Sequence, residues 1–311
     1  MIYTVTLNPA IDRIVHIPGE LTRGQNHRST ATSFDIGGKA THVSVVLSSL
    51  NIANIATGFM GEGRQDVLID LLEKKEVCHD FLTLPNEEVR ESIVIVDETN
   101  KGSYMITEKG PNVSPNMLQQ FKEKLQTTIQ KNDIVVFAGN PSTQMDPKDY
   151  REVLEMIKSK HCRLVVDASD RYLQEALAVK PYLLKPNQYE FKELIGKPLN
   201  TLEDYIHAAF HFMCDDIEYF FISLGKEGSL LLHHQEIYHI IPPTVKQVND
   251  TGCGDVFIGG LVYSIAQKFS VEKMCRFATA ISASKATQHS SSDFELEQVQ
   301  ALMEKVKVNQ L

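Results

Sequence analysis

The sequence predicts an α/β protein, with a mostly parallel sheet covered by helices on both faces and a small second group of strands set into its first third. Three observations carry this. From about residue 113 onward, short β-rich runs alternate with longer helical patterns, the layout that builds parallel sheets. The runs in that stretch, such as Ile134-Val135-Val136-Phe137, are nearly all apolar, as strands buried on both faces must be. In the first third the runs are instead short, of alternating polarity and separated by turns, which reads as a separate small sheet.

In chain order, Arg13 to Ile17 and His27 to Ser33 form a first strand pair, and Ser92 to Val96 and Ser103 to Thr107 a second. Inserted at about residues 12–34 and 88–108, they interrupt the main unit twice and read as a lid. Between them Lys39 to Leu50 and Gln65 to Lys75 are helical, and Asn54 to Gly58 is a strand. Asp133 to Ala138 is a buried strand, Pro147 to Ser159 a helix and Cys162 to Asp167 the next strand. Tyr182 to Leu184 continues the sheet, followed by helices over Tyr189 to Leu194 and Leu202 to Met213 and the strand Tyr219 to Ser223. Lys226-Glu227-Gly228 then turns into Ser229 to Leu232, an antiparallel hairpin expected at the sheet edge. No repeat of 20–50 residues and no low-complexity tract is present, so residues 1–311 are expected to form one domain.

Composition narrows the function classes. A formal net charge of −9 and the lack of any long Lys/Arg block argue against a nucleic-acid partner. Cys78, Cys162, Cys214, Cys253 and Cys275 are scattered without CxxC pairing, against a zinc ribbon or disulfide framework and in keeping with reduced cytosol. No stretch of 18 apolar residues occurs and no signal-like segment opens the chain, so neither membrane insertion nor export is expected.

The segment Asn249-Asp250-Thr251-Gly252-Cys253-Gly254-Asp255 runs into the apolar stretch Val256 to Tyr263, which puts its glycines at a helix N-terminus. Glycines there let a phosphate approach the backbone, and free first-turn N–H groups with the helix dipole stabilise its charge. Asp255 beside such a site repels an anion, which suggests that it removes a proton from an incoming nucleophile. A first-turn carboxylate complementing the helix dipole is the alternative. A second cluster, Gly37-Gly38-Lys39, also precedes a helix, but alone it is as readily a plain turn. Neither cluster has the spacing of a Walker loop or of a GxGxxG dinucleotide site.

Together with Thr6-Leu7-Asn8-Pro9-Ala10-Ile11-Asp12, Glu108-Lys109-Gly110-Pro111, Asp167-Ala168-Ser169, Lys185-Pro186-Asn187 with Glu190, and Ser223-Leu224-Gly225-Lys226-Glu227-Gly228, these segments run in family order. The chain thereby resembles, end to end, the PfkB carbohydrate kinases of the ribokinase superfamily, in the branch that contains 1-phosphofructokinases and tagatose-6-phosphate kinases. The resemblance implies a ribokinase-like three-layer α/β/α sandwich with a strand lid, and transfer of the γ-phosphoryl group of MgATP to a phosphorylated ketohexose. Fructose 1-phosphate is the first expectation for the acceptor, tagatose 6-phosphate the second, and a free sugar or nucleoside the third. A sugar-phosphate sensor that has lost catalysis on the same fold is the rival.

Carried over by position, Asp255 resembles the catalytic base, and the amides of Gly252, Cys253 and Gly254 the anion hole. Asn187 and Glu190 match the NxxE motif that organises Mg²⁺ through water, and Lys185, Thr251, Ser223, Gly225 and Gly228 stand on the nucleotide side. On the sugar side, Asp12, Gly37 and Gly38 resemble contacts to the substrate, while Lys39 and Arg90, and less directly Arg28, resemble cations for its own phosphate. The exposed edges of such a lid imply a homodimer.

The match departs from the family at three places. Ala40-Thr41-His42 stands where Gly-x-Asn is usual, and His42 brings a titrating ring to the sugar side. Asn140, in Ala138-Gly139-Asn140-Pro141-Ser142, occupies a strand end that commonly reads Ser-Gly-Ser-Leu-Pro. Cys253 replaces an alanine, and its thiol at a helix start is expected either to react with alkylating agents through a depressed pKa or to lie inert.

Overall fold

The computed structural model describes residues 1–311 apart from 98, 100–102, 143 and 213–215. The chain opens with strands β1 (Ile2–Thr6), β2 (Ala10–Ile17) and β3 (Ala31–Gly37), then α1 (Lys39–Ser49), β4 (Asn54–Gly63), α2 (Gln65–Lys74), β5 (His79–Glu88), β6 (Arg90–Asp97) and β7 (Ser103–Thr107). Helices and strands then alternate through α3 (Pro115–Thr128), β8 (Ile134–Ala138), α4 (Pro147–Ser159), β9 (Arg163–Asp167), α5 (Asp170–Val179), β10 (Leu183–Leu184), α6 (Gln188–Ile195), α7 (Leu202–Ala209) and β11 (Tyr219–Ser223). The hairpin β12 (Ser229–His233) and β13 (Glu236–Ile241) follows, then α8 (Cys253–Ala266), α9 (Val271–Ala286), α10 (Leu296–Met303) and β14 (Lys307–Gln310).

Ten strands make one sheet in the order β14-β13-β12-β11-β10-β9-β8-β1-β4-β5. From β11 to β5 every neighbour is parallel, and β12, β13 and β14 add an antiparallel end. Alternation along the strands feeds two cores. Val135, Phe137, Leu164 and Val166 pack with Phe121 of α3, Tyr150 of α4, Leu173 of α5 and Phe191 of α6. Their neighbours Ile134, Val136 and Val165 pack on the opposite face with Val43 of α1, Ile258 and Leu261 of α8, Ile281 of α9 and Val299 of α10. This is the three-layer α/β/α arrangement, with apolar runs in the central strands because both faces are covered.

The second sheet has the order β3-β2-β6-β7, and its strands leave the main body at the carboxyl end of β1 and at β5. The second strand of its first pair begins at Ala31 rather than His27 and extends to Gly37, and Gly38 then caps α1, which starts at Lys39. Three expected boundaries move. The strand at Asn54 runs on to Gly63. The helix at Leu202 ends at Ala209 with a 3₁₀ turn over Phe210–Phe212, while the expected end at Met213, like Cys214, lies outside the described residues. The hairpin at Ser229 is inside the sheet and not at its edge, because β13 and β14 lie beyond it. No helix among the described residues is long and apolar enough to cross a membrane.

Candidate active site

Parallel α/β sheets leave a crevice at the carboxyl ends of their strands, and the chemistry-bearing residues collect there. The α8 start is built from the loop before it. Asn249 accepts the Thr251 N–H through Oδ1 at 2.9 Å and donates from Nδ2 to the His289 carbonyl at 2.8 Å. Gly252 caps the helix with φ of 82°, and a Cβ there would stand 1.9 Å from the Ser291 carbonyl oxygen, so the turn accepts only glycine. The Cys253 N–H is already donated to the Asp250 carbonyl at 3.1 Å. The amides of Gly252 and Gly254 have no acceptor among the described residues. Of the three amides expected to make the anion hole, these two are the ones left to face an anion.

Cations stand beneath this turn. Lys185, at the end of β10, is almost wholly buried, and a Cβ on Gly254 would be 3.9 Å from its Nζ. Lys185 Nζ lies 3.4 Å from Oδ1 of Asp167, the last residue of β9, and Lys39 Nζ lies 3.2 Å from Oδ2 of the same carboxylate. Burial pushes the Asp167 carboxyl up, but the two ammonium groups outweigh it and hold it below the usual carboxylate range. Burial likewise opposes the charge on Lys39, yet Asp167, Asp255 and Glu190 raise its pKa above the ordinary lysine value. Lys39 therefore stands on the side of Asp255 and Asp167, with its stem against Gly139.

Asp255, one turn into α8, is 8% exposed and sits against His42, which is 5% exposed. Oδ2 of Asp255 lies 2.7 Å from His42 Nδ1, and His42 Nε2 lies 2.8 Å from the Ile36 carbonyl oxygen. Burial pulls the imidazole down, but the hydrogen bond and charge of Asp255, then Asp12 and the Ile36 carbonyl, raise its pKa to about 9. Asp12 packs over Gly37 so closely that a Cβ there would come 2.2 Å from its Oδ1. Burial raises the Asp12 carboxyl to about 6, against the opposing pull of His42 and Arg90. Arg90 opens β6 opposite Ala10 and donates from Nε to the Asn8 carbonyl at 3.0 Å, with burial lowering its pKa. Asp12, His42 and Arg90 are thus electrostatic neighbours.

Asn140 bonds to the start of α5. Its Nδ2 donates to Ser169 Oγ at 2.8 Å and to Asp170 at 3.1 Å, and its Oδ1 accepts the Ser169 N–H at 2.9 Å, so it ties the end of β8 to the start of α5. Arg28 lies in the exposed loop between β2 and β3. Asn187 and Glu190 form a capping box at α6: Asn187 Oδ1 accepts the Tyr189 and Glu190 N–H groups, and Glu190 Oε2 accepts the Asn187 N–H at 2.7 Å. Glu190 keeps Oε1 for another partner, and burial together with Asp167 raises its pKa. Ser223 donates its N–H to the Pro186 carbonyl at 3.0 Å, and the turn beyond it needs Gly225 at φ 62° and Gly228 at φ 94°.

Two features correct or extend the sequence reading. The Cys253 thiol is not depressed; burial pushes it up to about 11, and the Lys285 charge does not offset that. That direction disfavours the reactive thiolate. Lys285, in the last turn of α9 with no motif to mark it, is fully buried and donates from Nζ to the Asn249 carbonyl at 2.8 Å, bracing the anion turn from behind. Asp167 was marked only as a motif acid, and its role as the shared anchor of Lys39 and Lys185 needed the fold.

Comparison with known proteins gives a consistent result. Residues 5–298 match the family profile described as pfkB family carbohydrate kinase. A 1-phosphofructokinase of Bacillus subtilis is 30% identical over 312 residues and covers 100% of both chains. A tagatose-6-phosphate kinase of Staphylococcus epidermidis is 27% identical over 311 residues, covering 99% of each. Among solved structures, phosphofructokinase-2 from Escherichia coli in complex with fructose-6-phosphate superposes with a TM-score of 0.88 at 24% identity, over 98% of each chain. A possible 1-phosphofructokinase from Thermotoga maritima does so with a TM-score of 0.86 at 23% identity, over 100% of this chain and 99% of that one.

Proposed function

Because the chain belongs to the pfkB family of carbohydrate kinases, we propose that it transfers the γ-phosphoryl group of ATP to a hydroxyl of a phosphorylated ketohexose, with fructose 1-phosphate ahead of tagatose 6-phosphate as acceptor. The observation that carries this reading is the meeting of a buried carboxylate, Asp255, with two acceptor-free glycine amides and the Lys185–Asp167–Lys39 cluster at one helix start.

Asp255 takes the proton of the attacking hydroxyl. The Gly252 and Gly254 amides, with Lys185 beneath them and Lys39 beside them, stabilise charge on the transferring phosphoryl oxygens. Phosphoryl transfer passes through a loose transition state in which positioning and electrostatics supply most of the effect, and a set of fixed donors suits that demand. Asp12 orients the sugar through its hydroxyls, and Arg90 is the cation for the acceptor's own phosphate. Ser223, Gly225 and Gly228 line the nucleotide side with Thr251. Glu190 and Asn187 fit a hydrated Mg²⁺, since the free Glu190 oxygen is a hard donor close to Lys39 and Asp167. The ion supplies neutralisation of the ATP phosphates when bound.

The strands at residues 10–37 and 90–107 act as the lid of one kinase domain, and their open face supports a homodimer. Phe34, Tyr104, Met105 and Ile106 on β3 and β7, the two edges of that sheet, are large apolar residues exposed to solvent. A cytoplasmic location accords with ATP as co-substrate and with dispersed cysteines.

The test is ATP turnover over fructose 1-phosphate, tagatose 6-phosphate, fructose 6-phosphate and free sugars, with Asp255→Asn as control. One acceptor is expected to exceed the others in kcat/KM, and Asp255→Asn to lower kcat by about 10³-fold. A chain that binds these sugars but turns over none above that control is the sensor, and the kinase reading fails.

A further inference from the structure

His42 is buried against the base, and the reaction as described leaves it without a task. Its two hydrogen bonds define its state. The Ile36 carbonyl oxygen 2.8 Å from Nε2 can only accept, so Nε2 carries a hydrogen. A neutral ring of that tautomer would turn a bare Nδ1 lone pair toward the Asp255 carboxylate at 2.7 Å, setting two acceptors against each other. Two states make the contact attractive: an imidazolium donating to a carboxylate, or a neutral ring accepting from a protonated Asp255. The second leaves Asp255 unable to take a proton. The groups facing the ring favour the first, since Asp255 of α8 and Asp12 of β2 are both acids, with Asp35 of β3 beside Asp12. Arg90 of β6 is paired electrostatically with Asp12, and Lys39, at the start of His42's own helix, is drawn to Asp167.

We propose that His42 is a positioning residue for Asp255: as an imidazolium it bridges the Ile36 carbonyl and Oδ2 of Asp255, fixes the carboxylate, and leaves Oδ1 to receive the proton of the acceptor hydroxyl. The inference rests on the kinase reading above. In the transfer the hydroxyl O–H bond breaks and its proton goes to Oδ1, the hydroxyl oxygen bonds the γ-phosphorus, and the bond to ADP breaks with its electron pair leaving on ADP. Both imidazolium protons stay where they are. The His42–Asp255 pair changes from net neutral to positive as the new phosphate ester forms, so the charge gained faces the phosphoryl group.

This arrangement requires the imidazolium, so activity should decline as the ring loses its second proton, near the value of about 9 that its surroundings set. The experiment compares the full-length wild type with His42→Asn, His42→Ala and Asp255→Asn across pH 6–10, on the acceptor selected by the turnover panel. Wild-type kcat should show an alkaline limb. His42→Asn, which can still donate to the carboxylate but does not titrate, should lack that limb while keeping kcat within about tenfold. His42→Ala should lose about 10²-fold in kcat with KM for both substrates within about threefold. In addition, ¹H–¹⁵N spectra of the wild-type ring at pH 7 should show hydrogens on both nitrogens, which keeps the proposal testable where a variant does not fold. A His42→Asn enzyme that retains the alkaline limb, a His42→Ala enzyme with wild-type kcat, or a singly protonated ring at pH 7 overturns it. An active Asp255→Asn enzyme would sink the base assignment instead, a separate failure.

Discussion

Asp12 shows how burial turns an ordinary carboxylate into a sensitive one. Packed over the bare Cα of Gly37, it has little water to stabilise its charge, and burial lifts its pKa from 3.8 to about 6. The folded state therefore holds a proton that the unfolded chain has lost between those values, and the contribution of Asp12 to stability falls as pH rises through about 6. The proposed role of Asp12 runs the other way, because only the ionised carboxylate would accept from two sugar hydroxyls. KM for the acceptor should rise as pH drops below about 6, and Asp12→Asn should raise KM at neutral pH and abolish that dependence. A wild-type KM that stays flat between about pH 5 and 8 would exclude the role. Gly37-Gly38 is legible in the sequence as a turn and, by resemblance, as a substrate contact. Its tight approach to Asp12 is not, because two residues 25 positions apart meet only when β2 and β3 pair.

At the scale of elements, the strongest patterns were the most legible. The buried strands β8, β9 and β11 and the helices α1, α2 and α4 lie within a residue or two of their expected bounds, since continuous apolar runs and capping signals such as Asp146 before Pro147 are local. The edges were not legible. β5 reads His-Asp-Phe-Leu-Thr-Leu-Pro-Asn-Glu-Glu, with charges and a proline that an edge strand tolerates and a central one does not. β14 is the other edge, and it is largely exposed. Tight turns carry a sharper prediction. A Cβ on Gly228 would stand 1.9 Å from the Ile240 carbonyl oxygen, in addition to the strain of φ 94°. Gly228→Ala should cost about 3 kcal/mol by urea denaturation and, with the turn after β11 on the proposed nucleotide side, raise KM for ATP. A loss under about 1 kcal/mol would mean that β12 and β13 can shift apart freely.

For the whole molecule, the second sheet carries the proposed homodimer. With β3 and β7 as its edges and Phe34, Tyr104, Met105 and Ile106 exposed, it presents an apolar surface that a second copy can cover. Light scattering at micromolar concentration should return a dimer, and Ile106→Arg should shift it to monomer and raise KM for the sugar. A wild-type monomer refutes the pairing. The sequence by itself determined the layered α/β class, the family, and Asp255 with its glycine turn, because apolar period, helix-start chemistry and ordered motifs are all read along the chain. Only the tertiary structure decided that Lys39 and Lys185 share Asp167, that Asn140 ties the end of β8 to the start of α5, that burial raises the Cys253 thiol, and that His42 grips Asp255 across 213 residues. Those are matters of desolvation and of contacts between distant strands and helices, and neither exists until the sheet brings the ends of β1, β8, β9 and β10 together.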